Sequence, residues 1–171
     1  MKKAVFYVFL VVICLFNIGC GKTYHGIDKL LDVAFKEISS VGRDSTEMKC
    51  AGICAMGVDR AIVWFIYDDG QGSWNYLPME VRVVGQEEYQ YIRTHTPVKC
   101  TKNIAALFWD DGCSFVVNEP NCSSVNITGM KDGNRIRMNE SFEQEEQIFV
   151  FSCPFLPVEY HFLDSNGNEI D

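Results

Sequence analysis

Apolar residues recur along this chain with several different periods, and each period predicts an element. After Lys2 and Lys3, residues 4–16 carry no charge, and small residues follow at Gly19, Cys20 and Gly21. A basic start, a short apolar centre and a small-residue end mark residues 1–21 as a signal peptide. The run is shorter than the roughly 20 residues a spanning helix needs, so no permanent membrane anchor is expected. Ile27, Leu30, Leu31, Ala34 and Ile38 then fall at helical spacing. A second helix is predicted to start at Asp44, because Asp44 and Glu47 have the spacing of a capping box, and to stop at Gly57. Cys50 and Cys54, four residues apart, would share one face of that helix.

Residues 61–67 are continuously apolar, rich in β-branched and aromatic side chains, and end at Asp68-Asp69-Gly70, which predicts a buried strand. In residues 80–84, Glu80 and Arg82 alternate with Val81 and Val83, the period of a strand with one wet face. Residues 89–93 follow the turn at Gly85 and complete a small sheet. The pattern changes near residues 94–99, around Pro97. Beyond it, six short strands are predicted at 104–109, 113–117, 125–128, 135–138, 148–153 and 158–163. Asp111-Gly112, Asp132-Gly133 and Asn166-Gly167 supply turns. The predicted class is α+β: a helix-on-antiparallel-sheet module (22–97) followed by a small all-β disulfide-linked module (98–171).

Composition adds a covalent element. Eight cysteines are present, but Cys14 and Cys20 fall within the signal peptide, leaving Cys50, Cys54, Cys100, Cys113, Cys122 and Cys153. An even set in an exported chain reads as a disulfide framework, whose connectivity the sequence leaves open. Asn121, Asn126 and Asn139 each begin a glycosylation sequon. A bacterial lipoprotein acylated at Cys20 is the competing reading, although Asn17 occupies the position where such signals carry a Leu-like residue. Removing residues 1–21 takes Lys2 and Lys3 and no acid, so the net charge falls from −8 to −10. That acidity, with no basic cluster, disfavours nucleic acid as a partner.

The segment from Ser45 to Arg93 resembles a PAN/apple module through Cys50-Ala51-Gly52-Ile53-Cys54, Phe65-Ile66-Tyr67 and the closing strand 89–93. In that family a helix bearing Cys-x-x-x-Cys packs on an antiparallel sheet through disulfides, but the partner cysteines it would have near Ile62 and Trp74 are absent here. Asp111-Gly112-Cys113, Cys122 and Cys153 are similar to cysteine-bearing β modules of nematode secreted proteins. The PAN/apple resemblance implies adhesion to protein or carbohydrate.

Catalytic patterns are missing from the sequence. His25, His95 and His161 lie far apart and outside any metal-binding spacing. Asp68-Asp69, Asp110-Asp111 and Glu145-Glu146 would serve a carboxylate-dependent hydrolase, the enzymatic alternative, but their settings predict turns and solvated surface. Residues 164–169 are rich in oxygen ligands, yet the glycine falls at the wrong place for a calcium loop, and a turn is predicted. No cofactor is expected. Trp64, Trp74, Tyr76, Tyr89 and Tyr91 cluster in sequence and are the candidate binding aromatics. The expectation is therefore a secreted, disulfide-bonded glycoprotein that binds an extracellular protein or glycan without catalysis.

Overall fold

The computed structural model describes residues 21–40, 47–68, 73–99, 103–142 and 148–170. Among the described residues strand holds 63% and helix 10%, so the fold is mostly β and the predicted α+β class is wrong. Nor is a helix-on-sheet module followed by a separate all-β one. The described elements are β1 (Thr23–His25), α1 (Ile27–Ser40), β2 (Met48–Ala55), β3 (Arg60–Asp68), β4 (Trp74–Gly85), β5 (Glu88–Thr94) and β6 (Val98–Lys99) in the first half. The second half adds β7 (Ile104–Trp109), β8 (Gly112–Val117), β9 (Ser124–Lys131), β10 (Asn134–Ser141), β11 (Phe149–Cys153) and β12 (Leu156–Leu163). Three antiparallel sheets result. The first has the order β1-β5-β4-β3-β2 with β6 also on β4, the second β11-β8-β7, and the third β10-β9-β12.

These sheets stack as layers, with α1 outside the first. Leu30, Ala34 and Ile38 of α1 are buried against Val63, Phe65, Leu77 and Met79. On the opposite face of the same sheet, Ile62, Trp64, Ile66 and Tyr76 pack with Ala105 and Val116 of the second sheet. Phe115 and Val117 then meet Val125, Ile127 and Phe162 of the third. Strands β3 and β8 are thus covered on both faces, which is why each is apolar almost without interruption. The two halves share this middle layer, so the second is not an independent unit.

The predicted helix from Asp44 to Gly57 is also corrected: over its described part the chain is β2, paired along its length with β3. Small Ala and Gly residues fit either conformation, and the free edge of β3 decides between them. A bulge between Cys50 and Gly52 reverses the facing of the strand. Cys50 consequently joins the α1 side and Cys54 the middle layer, on opposite faces. A Cβ at Gly52 would lie 3.0 Å from Val150, so only glycine lets β11 approach the bulge.

Strand β4 is central and yet contains Pro78. Its partner on one side changes there, from β5 at Met79 to β6 at Tyr76, so the missing N–H falls at a break in the ladder. The Pro78 carbonyl accepts from the His95 amide at 2.9 Å. Asp132 (φ 50°) and Gly133 (φ 78°) form the two-residue turn between β9 and β10. Between β7 and β8 the turn residues are Asp110 and Asp111, one place earlier than predicted, and Gly112 begins the strand. Residues 1–20, which hold all but the last residue of the predicted signal peptide, lie outside the described residues. Among the described residues no helix is long and apolar enough to cross a membrane.

Candidate functional site

The face of the first sheet that meets the second is apolar only as far as the second sheet extends. On β4, Tyr76 lies under that sheet, whereas Glu80, four residues on and on the same face, lies at its rim. Ladder pairing sets Glu80 between Ile62 of β3 and Arg93 of β5. Arg60 Nη1 donates to Oε1 at 2.8 Å, and Arg93 Nε donates to Oε2 at 2.7 Å. The carboxylate is only 1% exposed, while the arginine side chains are 46% and 59% exposed. Burial alone would raise the Glu80 pKa, but the hydrogen bonds and charges of Arg93 and Arg60 outweigh it and hold the group below its ordinary 4.5. Glu80 is therefore ionised at neutral pH.

His95 completes this cluster. Its Nε2 is buried, lies 3.6 Å from Glu80 Oε2 and has no hydrogen-bond partner. Burial, then the Arg93 charge, push its pKa below 6.5 against the opposing pull of Glu80, so the ring is neutral at pH 7. The β7–β8 turn with Trp109, Asp110 and Asp111 lines the same cleft as Arg60, Arg93 and His95. The cleft has a volume of about 390 Å³, and Met56, Leu107 and Phe108 also line it. The lining thus brings two arginines and two aspartates together.

Both oxygens of Glu80 are occupied by arginines, and its lowered pKa suits neither a proton donor nor an effective base at neutral pH. Among the described residues no Ser, Thr, Cys, Lys or Tyr lines the cleft. The Glu80 carboxylate fixes the directions of Arg60 and Arg93, whose side chains remain about half exposed.

The sequence-predicted site residues are dispersed. Trp64 and Tyr76 are completely buried and Tyr89 nearly so, which makes these three aromatics part of the core. Tyr91 is partly buried against the α1 layer. Trp74 is 37% exposed, with Lys49 Nζ 6.0 Å from its ring centre. No shared exposed patch joins the five.

All described cysteines carry free thiols, and Cys100 lies outside the described residues. Cys50 and Cys122 have pKa values raised chiefly by burial. Burial pushes Cys54 up to about 12, against hydrogen bonds with Ser114 and the Ile62 carbonyl. Cys113 and Cys153 are direct partners across β8 and β11, and the hydrogen bond between their thiols raises the pKa of Cys113.

Asn126 and Asn139 are likewise direct partners, across β9 and β10, and both are exposed on the outer face of the third sheet. Asn121 is exposed in the loop before β9, where its Nδ2 donates to Glu119 Oε1 at 3.1 Å. Residues 164–168 form a turn in which the Asp164 carboxylate accepts from the Asn166 and Asn168 amides at 2.8 Å and from Asn168 Nδ2 at 3.0 Å.

Sequence reasoning did not find the cleft. Arg60, Glu80, Arg93 and Asp110 are far apart in the chain and are united only by strand register. The one available signal was the Glu80–Arg82 alternation, which indicated a wet face and gave no sign that Glu80 was buried. Compared with family models, curated proteins and solved structures, the chain matches none, and no PAN/apple or nematode-type module is identified.

Proposed function

We propose that this is an exported, non-enzymatic binding protein whose cleft takes a protein segment carrying both an acidic and a basic side chain. The supporting observation is one cleft lined by both Arg60 and Arg93 and by Asp110 and Asp111, with the two arginines held by the buried Glu80. A carboxylate on the partner would accept from the guanidinium groups while a cation met the aspartates, with Trp109 between them as an aromatic contact. A neutral sugar would leave both kinds of charge unmatched, so a protein is favoured over a glycan. The signal-like leader, cysteines and sequons support an extracellular setting.

Selection from a displayed peptide library tests this reading, with an Arg93→Glu/Asp111→Lys variant as the counter-target. Enriched peptides should pair acidic with basic residues and should lose affinity for the variant. Peptides that bind the variant equally well, or retention on a glycan array alone, would overturn it. Intact mass of material from a eukaryotic secretory culture, with and without glycosidase, tests export: the leader should be absent and glycosidase should lower the mass.

A further inference from the structure

Cys113 and Cys153 stand on one rung of the β8–β11 ladder, and both are completely buried between the second and third sheets. Antiparallel partners hold their Cα atoms about 4.5–5.5 Å apart, within the roughly 4.4–6.8 Å that a disulfide spans. Side-chain rotation alone can then close the bond, with the backbone left in register. We propose that Cys113 and Cys153 form a disulfide joining β8 to β11 whenever the chain folds under oxidising conditions. The setting in which this matters rests on the export proposed above, but the pairing itself rests on strand register.

The other described cysteines are separated from this pair by the architecture. Cys50 lies on the α1 side of the first sheet, and Cys54 lies in the middle layer, on the other face of the second sheet. Cys122 shares the inner layer but follows β8 at its far end, where its thiol lies 3.6 Å from the Ser124 carbonyl. A span of four strand residues, about 13 Å, separates Cys113 from that end.

Closure removes two protons and two electrons, which a small-molecule disulfide such as oxidised glutathione accepts. The Cys153 thiolate attacks a glutathione sulfur and expels one glutathione thiolate. Cys113 then attacks the Cys153 sulfur of the mixed disulfide and expels the second. Both sulfurs are shielded once folding is complete, so exchange takes place before β11 docks on β8.

The test is non-reducing peptide mapping of the full chain after refolding in a glutathione redox buffer, with free thiols alkylated under denaturing conditions. One linked pair containing Cys113 and Cys153 should dominate, and Cys113→Ser should make Cys153 alkylatable. Alkylation of both cysteines in the wild-type chain, or linkage of either to another cysteine, would sink the proposal. Export is read separately from leader removal and glycosidase sensitivity in secreted material, so the two ideas fail independently.

Discussion

The indole nitrogen of Trp64 donates a 3.1 Å hydrogen bond to the hydroxyl of Ser114, and both side chains are completely buried. Trp64 belongs to β3 of the first sheet and Ser114 to β8 of the second, so a polar contact crosses the dry layer between the two halves of the chain. An unpartnered polar group left there costs about 1–3 kcal/mol. Trp64→Phe and Ser114→Ala should each lower stability, and the double variant should show a coupling energy of about 1 kcal/mol in urea denaturation. Because this layer is shared, probes in either half should report one transition. Two separate transitions would mean that the halves fold independently.

Glu80→Gln should destabilise the protein by about 1–3 kcal/mol, less than for a fully buried ion pair because both arginines can regain water. The effect depends on pH with a definite sign. The Glu80 pKa lies below 4.5 in the folded protein, so its stabilisation is present above about pH 4.5 and disappears as pH falls through the folded value. The difference in urea midpoint between wild type and variant should shrink over that acid range. A difference that stays constant with pH would show that lost packing, not charge, is responsible.

Two histidines should titrate on opposite sides of 6.5. His161 lies between Glu169 Oε1 at 2.8 Å and Glu159 Oε1 at 3.1 Å, and the hydrogen bonds to these carboxylates, Glu169 first, raise its pKa. Its contribution to stability is complete below pH 6.5 and is lost as pH rises through the raised value. His95, kept neutral by burial, acts in the opposite direction: stability falls as pH drops from 6.5 toward its lowered pKa, because the unfolded chain takes up a proton that the fold resists. Imidazole NMR titration, assigned with His161→Gln, checks the order of the two.

If the Cys113–Cys153 bond forms, it closes the loop of residues 113–153 and limits the unfolded ensemble. The chain-entropy model then assigns it about 4 kcal/mol. Reducing the refolded protein should lower its denaturant midpoint accordingly, while the Cys113→Ser/Cys153→Ser variant should not respond through this bond. An identical midpoint with and without reductant would show that the bond contributes no stability.

Much of the strand pattern was readable in the sequence because each strand of the second half lies between turn residues, and because 61–67 is too apolar for any place but a centre. The helix at 27–38 was readable from its period alone. Cys50 and Cys54 misled, since a spacing of four fits one face of a helix, and the bulge that separates them is stabilised by β3 and β11, outside the local sequence. Pro78 hid the first part of β4, as a proline argues against a central strand unless the neighbouring partner changes beside it. The cleft was the least readable feature. Its residues are ordinary surface types whose meeting depends on the register of three strands and the placement of one turn.

The rung shared by Asn126 and Asn139 gives the third sheet an asymmetric exterior. Sugar attached to either asparagine would spread a hydrated canopy over the same strip, and two trees rooted one strand apart would crowd each other into standing upright. Proteases and antibodies would then reach this molecule most easily from the flank formed by α1. A carbohydrate coat there would also hinder face-to-face stacking of the outermost strands in crowded surroundings.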